Sequence, residues 1–156
     1  YNTKSMKKFF LLIVLAISAI SVSAQHSQAV GGDLDLSFGS GGAVFGIGAK
    51  YHHGFTEHWR ATGGVRFLFA GAKVLDIDAN ANYLFQVGSK DINVYPLAGV
   101  GLYAGFGEGS TSRATFNIGG GIDYPLNDHW YANGEFKLRF FDGVREELSV
   151  GLMYKF

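Results

Sequence analysis

The sequence predicts an all-β fold, an eight-stranded antiparallel transmembrane β-barrel preceded by a cleavable signal peptide. Three observations predict it: a short apolar run near the N-terminus, eight later segments in which apolar and polar residues alternate, and a last strand that ends on an aromatic residue. The composition agrees, because 23 Gly, 14 Phe and 8 Tyr against only 2 Pro are typical of tightly turning β-structure rather than of helix bundles.

The N-terminal run has the layout of a secretory signal. Met6 and two lysines precede the apolar residues 9–20, and small residues follow as far as Ala24. The run is shorter than the roughly 20 residues that a membrane-spanning helix needs, and no later run is long enough either. We therefore expect upstream residues at 1–5, a signal peptide at 6–24 and one outer-membrane barrel domain at 25–156.

Period-two alternation predicts the strands. In the fourth segment Leu75 and Ile77 alternate with Asp76 and Asp78, so that one face is apolar and the other is charged. The same pattern predicts strands near 32–39, 43–53, 59–70, 73–87, 92–106, 113–125, 130–141 and 147–156. Eight is an even number, and most segments reach the roughly 9 to 11 residues of a tilted strand that spans a membrane.

The apolar face of these strands must point outward. An eight-stranded barrel has an interior just wide enough for side chains to fill, and the many Phe, Leu, Ile and Val of the apolar face would not all fit there. We expect that face to meet lipid and seven charged residues to form a structural ion network in the lumen: Arg60, Arg66, Asp76, Asp78, Glu135, Lys137 and Arg139. A proton or ion path is the alternative role for these charges.

The hairpin after the third segment fixes which lumen residues face each other. If it is centred on Gly71, Arg66 lies opposite Asp76, and Arg60 lies opposite Asn82. We therefore predict an ion pair between Arg66 and Asp76 or Asp78.

Two similar stretches, 55–61 and 126–132, each place a Trp at the start of a strand. Tryptophan and tyrosine favour the interface between lipid and water, because one part of each ring system is apolar and another is polar. We predict an aromatic girdle at this level, formed by Trp59, Trp130, Tyr83 and Tyr154.

The chain closes on Tyr154, Lys155 and Phe156 at the end of an alternating strand. Here it resembles the outer-membrane β-barrel family of small OmpA/OmpX-like proteins of Gram-negative bacteria, in which such a strand is a C-terminal signal read by the barrel-insertion machinery. The resemblance implies that Tyr154 and Phe156 form this signal. The Ser-Ala-Gln junction at 23–25 resembles that of Bacteroidetes members.

The same resemblance implies a protein integral to the outer membrane, with outer-membrane lipid and the insertion machinery as its partners. We expect a monomer whose N- and C-termini are both periplasmic. The connections on both sides of the membrane are predicted to be short, which leaves little external surface for recognition.

Several chemistries are not expected. The 13 basic and 13 acidic side chains give no electrostatic footprint for nucleic acid, and without Cys there is no thiolate metal site. His52 and His53 are adjacent on a strand and therefore point to opposite faces, so we predict no metal site and no cofactor. Gly99-Val100-Gly101 lacks both the spacing and the following helix of a nucleotide-binding loop.

A catalytic site is not predicted either. Asp76 and Asp78 share one face of a strand and would suit acid–base catalysis, but nearby cations make neutralisation the simpler interpretation. The leading functional hypothesis is a non-enzymatic outer-membrane barrel with a structural, envelope-maintaining or surface-interaction role. The alternatives are a small porin-like pore or transport barrel and a lipid-modifying outer-membrane enzyme.

Overall fold

Eight antiparallel strands build the structure, a computed structural model that describes residues 27–156. The strands are β1 (Gln28–Gly39), β2 (Gly42–Gly54), β3 (Trp59–Ala70), β4 (Ala72–Tyr83, continued as Phe85–Val87), β5 (Ile92–Gly105), β6 (Ser112–Pro125), β7 (Trp130–Phe140) and β8 (Val144–Lys155). The predicted signal peptide at 6–24 and the upstream residues 1–5 lie outside the described residues.

The two parts of β4 belong to one strand. Asn82 pairs with Leu97 of β5, and Phe85 pairs with Val94 in the same register, so no residue is inserted at Leu84. The pairing of β4 with β3 ends at Tyr83, and the amide of Leu84 instead donates to the carbonyl of His58 at 2.7 Å. The strand therefore extends past its neighbour on one side.

The sheet closes on itself. Each strand pairs with the next along the chain, and β8 returns to pair with β1. A path that steps from each residue to its partner on the next strand, once around the barrel, passes through Gln28, His53, Ala61, Ala81, Ala98, Ile118, Leu138, Glu146 and Phe38. The path that leaves β1 at Gln28 returns at Phe38, a shear of 38 − 28 = 10 residues, which fixes the strand tilt and leaves no open sheet edge.

The two faces of the barrel have inverted polarity. Among the residues that the structure describes, buried positions hold twenty-two polar or charged side chains and seven apolar ones, whereas the outer surface is covered by large apolar residues such as Val100, Val150 and Ile47. Among the described residues no helix is long and apolar enough to cross a membrane. An outer surface of this kind fits lipid, where a closed barrel satisfies every strand hydrogen bond internally.

Inward-facing glycines make room for large side chains in the lumen. A Cβ atom added at Gly101 would overlap the guanidinium of Arg139, and one added at Gly121 would overlap the ring of Tyr95. Because glycine has no side chain, the large side chains of nearby residues can extend into the narrow interior at these positions.

The predicted fold class is confirmed: the described residues form a closed eight-stranded antiparallel barrel. Two strand starts differ from the prediction by three residues or more, and one strand is irregular. β1 begins at Gln28 rather than near 32, because Gln28 to Gly31 pair with β2 although their sequence does not alternate clearly. β8 begins at Val144 rather than near 147, which shortens the last turn, and β4 has the irregularity at Leu84.

Two turns at one end of the barrel have the same structure. The carbonyl of Trp59 accepts from the amides of Phe55 and Thr56, and the carbonyl of Trp130 accepts from the amides of Leu126 and Asn127. A side-chain oxygen, on Thr56 in one turn and on Asn127 in the other, accepts from the amides of the His and the Trp. The similarity of 55–61 to 126–132 is thus also a structural one.

A charged residue on the outer surface tests which face meets lipid. Val100 lies near the middle of β5 and is 60% exposed. We expect Val100→Arg to lower the free energy of unfolding in lipid vesicles by about 2–4 kcal/mol, because the charge would enter hydrocarbon. Val100→Leu is the matched control and should change the free energy of unfolding little. If urea titrations give the same free energy of unfolding for both variants, the assignment of this face to lipid is contradicted.

Candidate functional site

The lumen holds the largest concentration of charged groups in the described chain. Alternation along each strand turns every second residue inward, and these residues meet at mid-height in a cluster that we call the central network. Its carboxylates come from β1, β4, β7 and β8 and its cations from β2, β3 and β7. The members are Asp33, Asp35, Lys50, Arg66, Asp76, Asp78, Glu135, Lys137, Arg139 and Glu147.

Arg139 is the most fully paired cation of the central network. Its Nη1 and Nη2 donate to the two carboxylate oxygens of Asp76 at 2.5 and 2.8 Å, and Nη1 also donates to Glu147 at 2.8 Å. Its Nε donates to the amide oxygen of Asn117 at 3.1 Å, and its guanidinium lies 4.5 Å from the ring centroid of Tyr103. The guanidinium of Arg139 on β7 is thus hydrogen-bonded to side chains on β4, β6 and β8.

Arg66 on β3 contacts carboxylates of the network on β1 and β4. Its Nη1 lies 3.3 Å from Asp76 and 3.1 Å from Asp78, and its Nε lies 3.2 Å from Asp33 on β1. All four side chains are almost fully buried. One guanidinium therefore neutralises carboxylates on the neighbouring strand β4 and on β1, which lies two strands away from β3.

The two lysines complete the network. Lys137 Nζ lies 2.7 Å from both Asp78 and Glu147. Lys50 on β2 reaches across the lumen to Glu135 on β7 at 3.0 Å and also lies 3.4 Å from Asp33. Lys137–Glu147 and Lys50–Asp33 join neighbouring strands, whereas Lys137–Asp78 and Lys50–Glu135 join strands that are not neighbours in the sheet. The last two pairs therefore cross the interior rather than follow its wall.

Hydrogen bonds extend the central network toward the end of the barrel that carries Gln28 and Lys155, here called the terminal end. Tyr95 donates its hydroxyl hydrogen to Glu135 at 2.8 Å and accepts from Asn133 at 2.7 Å. Asn133 also donates to Asp123, and Asp123 pairs with Arg60 at 2.5 Å. The chain of contacts therefore continues from mid-lumen to the Arg60 guanidinium.

Arg60 and Asp123 form part of the floor of an open vestibule at the terminal end. The vestibule has a volume of about 700 Å³ and is lined by both polar and apolar side chains. His52 also lines it, with Nδ1 2.7 Å from the hydroxyl of Tyr131. The lumen is thus accessible from this end only as far as the Arg60–Asp123 pair.

The opposite, distal end is closed differently. Val44, Leu68 and Tyr103 form the apolar core cluster found in the described residues, with Val74 and Phe141 packed against it. We call these five residues the outer apolar layer. It covers the central network on the side away from the vestibule.

The seven lumen residues named from the sequence all turn inward and are buried. Six of them belong to the central network, and the structure brings Arg66 within ion-pair distance of both Asp76 and Asp78. Arg60 lies apart from them at the vestibule floor, opposite Asn82 as expected from the register. With the Asn82 amide oriented to satisfy both groups, its oxygen accepts from the Arg60 guanidinium at 3.2 Å.

Sequence reasoning missed several lumen residues. Asp33, Asp35 and Glu147 alternate with leucines in β1 and β8, so the same period-two signal could have identified them. Lys50 also lies at an inward position of β2, where Gly46 and Gly48 weaken the pattern. Tyr95 gave no signal, because an aromatic residue in an apolar strand looks like part of the lipid-facing surface.

The carboxylates of the central network are the candidate metal ligands within residues 27–156. Asp76, Asp78 and Glu147 each offer an oxygen, and the three oxygens lie within 4.8 Å of one another. The same groups already face Arg66, Lys137 and Arg139 at ion-pair distances. Their charge is therefore neutralised by cationic side chains, and the arrangement suits an ion network better than a metal site.

The four residues expected in an aromatic girdle meet as two matched pairs. Trp59 and Tyr83 are cross-strand partners with ring centroids 5.1 Å apart, and Trp130 and Tyr154 repeat this arrangement at 5.1 Å. All four are on the outer face at the terminal end of the barrel. Phe156 follows β8 at the same end, and its amide donates to the carbonyl of Gln28 at 3.0 Å.

A double-mutant cycle measures the strength of the central network. We expect Arg139→Gln to lower the free energy of unfolding by about 3–5 kcal/mol, because it leaves Asp76 and Glu147 buried without this cation. Adding Asp76→Asn should recover part of the loss, which gives a coupling energy above about 1 kcal/mol. The measurement is equilibrium unfolding in urea in lipid vesicles.

The exposed ion pair between Arg113 and Asp142 provides the matched control. The cycle of Arg113→Gln and Asp142→Asn should give a coupling energy of about 0–1 kcal/mol, since solvent screens this pair. If the two cycles give the same coupling energy, the buried pair contributes no more than a surface pair and the network does not hold the barrel together.

Comparison with known proteins agrees with this architecture. The family model described as "Outer membrane protein beta-barrel domain" matches residues 12–156. No curated protein matches the chain. Among solved structures, the N-terminal β-barrel domain of Pseudomonas aeruginosa OprF superposes with a TM-score of 0.70 at 14% identity, covering 85% of this chain and 100% of that domain.

Two further structures are similar in fold. Neisserial surface protein A has a TM-score of 0.64 at 15% identity, covering 84% of this chain and 97% of that one. The attachment invasion locus protein Ail of Yersinia pestis has a TM-score of 0.56 at 18% identity, covering 84% of this chain and 97% of that one. The family match spans the whole barrel, and the protein therefore belongs to the outer membrane protein β-barrel domain family and is integral to the outer membrane.

Proposed function

We propose that the protein is a non-enzymatic, non-conducting barrel with a structural, envelope-maintaining or surface-interaction role in the outer membrane. The observation that carries this proposal is the central network, in which side chains from opposite strands meet across the lumen. Lys50 reaches Glu135, and Arg66 lies close to carboxylates on β1 and β4. We infer that paired charges crossing the lumen at mid-height block the passage of water and ions.

Burial of the carboxylates argues against catalysis. Asp76 and Asp78 are 0% and 5% exposed, and both are paired with cations, so a substrate would have to displace these cations to reach them. A general acid or base must come within hydrogen-bond reach of its substrate. The central network therefore acts as a structural support of the barrel wall.

The terminal end of the barrel is proposed to face the periplasm. Membrane barrels of this kind have short periplasmic turns and longer extracellular loops, and the longest connection, 106–111, lies at the opposite end from the four-residue connections 55–58, 88–91 and 126–129. Trp59, Tyr83, Trp130 and Tyr154 then form the girdle at the periplasmic interface. Tyr154 and Phe156 serve as the signal for the insertion machinery, and we expect a monomer, because a closed barrel offers no open strand edge for pairing with a second copy.

Planar-bilayer recording tests whether the lumen conducts. We expect no steady channel from the folded protein, because the central network and the outer apolar layer both close the interior. Arg139→Ala removes a side chain that is hydrogen-bonded to three other strands, and it should make transient channel openings more frequent. Folding of both proteins is checked by the heat-dependent shift in gel mobility, and stable, uniform channels from the unaltered barrel would favour the pore hypothesis instead.

Labelling of introduced cysteines tests the orientation. The sequence contains no Cys, and Ser40 and Ser89 are exposed in turns at opposite ends of the barrel. A polymer-linked maleimide too large to cross the outer membrane should label Ser40→Cys on intact cells. It should label Ser89→Cys only after the membrane is permeabilised; the reverse result would place both termini outside.

A further inference from the structure

The distal mouth of the barrel contains an apolar pocket. Its walls come from Val44, Leu68, Val74 and Phe141, and its volume is about 230 Å³. The rest of the lumen is polar, so this lining is not a continuation of the central network. The pocket opens toward the side of the membrane opposite the vestibule.

The size of the pocket limits what it can hold. An apolar cavity of about 150 Å³ is enough to bind benzene, whereas pockets for drug-sized ligands have about 300–1,000 Å³. A volume of about 230 Å³ therefore suits a single ring or a short alkyl chain with one small polar group.

Tyr103 adds an aromatic ring to the apolar walls. Its side chain is 8% exposed, and its hydroxyl is enclosed by the protein. The ring is held in place by the Arg139 guanidinium at 4.5 Å and by Phe141, whose ring centroid lies 5.1 Å away. A fixed ring at the wall of the pocket offers a flat apolar surface to a ligand.

The rim of the pocket is positively charged. Arg113 and Arg145 both line it, and Arg113 pairs with Asp142 in the adjacent turn. Arg145 forms no ion pair with a carboxylate in the described part of the chain. A guanidinium in this position favours a carboxylate, which can accept two parallel hydrogen bonds from it.

We propose that the distal mouth binds a small amphipathic carboxylate, an aromatic acid or a short fatty acid. The apolar part of the ligand lies among Val44, Leu68 and Val74. Its carboxylate lies toward Arg145, and the ring of Tyr103 packs against the ligand inside the pocket. This binding site is separate from the structural role of the central network and does not require conduction.

Benzoate and its neutral counterpart benzamide are the probes for this site. The full barrel is placed in nanodiscs of zwitterionic lipid, because detergent could occupy the pocket, and empty nanodiscs give the background. We expect saturable benzoate binding in titration calorimetry, with Leu68→Phe abolishing it by filling the pocket. Arg145→Gln should weaken benzoate binding at least about tenfold and leave benzamide binding within about twofold.

Two further variants complete the test. Tyr103→Phe keeps the ring that lines the pocket, and Lys155→Gln removes a charge at the opposite mouth, so neither variant should change the binding of either probe. The gel-mobility shift shows which variants are folded. The proposal is overturned if the unaltered barrel shows no saturable benzoate binding, or if folded Arg145→Gln binds benzoate as tightly as the unaltered protein.

Discussion

Closure of the strand hydrogen bonds is the constraint on which the rest of this structure depends. Hydrocarbon offers no partner to a free amide or carbonyl, so the sheet must return from β8 to β1, and it does so with a shear of ten residues. A closed sheet of eight strands has a narrow interior, and the alternation of side chains then assigns one face to lipid and the other to that interior. The inverted distribution of polar and apolar residues follows from this geometry.

The narrow interior in turn decides the chemistry of the lumen. Charged side chains that are enclosed away from bulk water must be paired, and here the same guanidinium or ammonium group serves carboxylates on several strands. Glycines such as Gly101 and Gly121 leave the space that Arg139 and Tyr95 occupy. The two mouths differ because ion pairing reaches only one of them: one opens into a vestibule whose floor includes the Arg60–Asp123 pair, and the other is lined by the outer apolar layer.

Most of this architecture follows from local sequence patterns, and the exceptions have physical reasons. The period-two pattern identifies eight strands and the inward side of Arg66, Asp76 and Lys137, since each lies between apolar neighbours. It fails for Tyr95 and Tyr103 on β5, because both faces of that strand carry apolar residues and only the closed register assigns them to the lumen. Contacts such as Lys50 with Glu135 could not be predicted, because they depend on the barrel's width and shear rather than on any hairpin.

The contact between Lys50 and Glu135 also bears on how the barrel is assembled. Its partners are separated by 85 residues and lie on strands that meet only across the closed interior, so no partly formed hairpin can make it. During insertion, a growing open sheet keeps Lys50 and Glu135 apart on the face that will become the lumen. That face must stay in contact with water until β1 joins β8, and the final joining step therefore gains this ion pair and the last row of hydrogen bonds together.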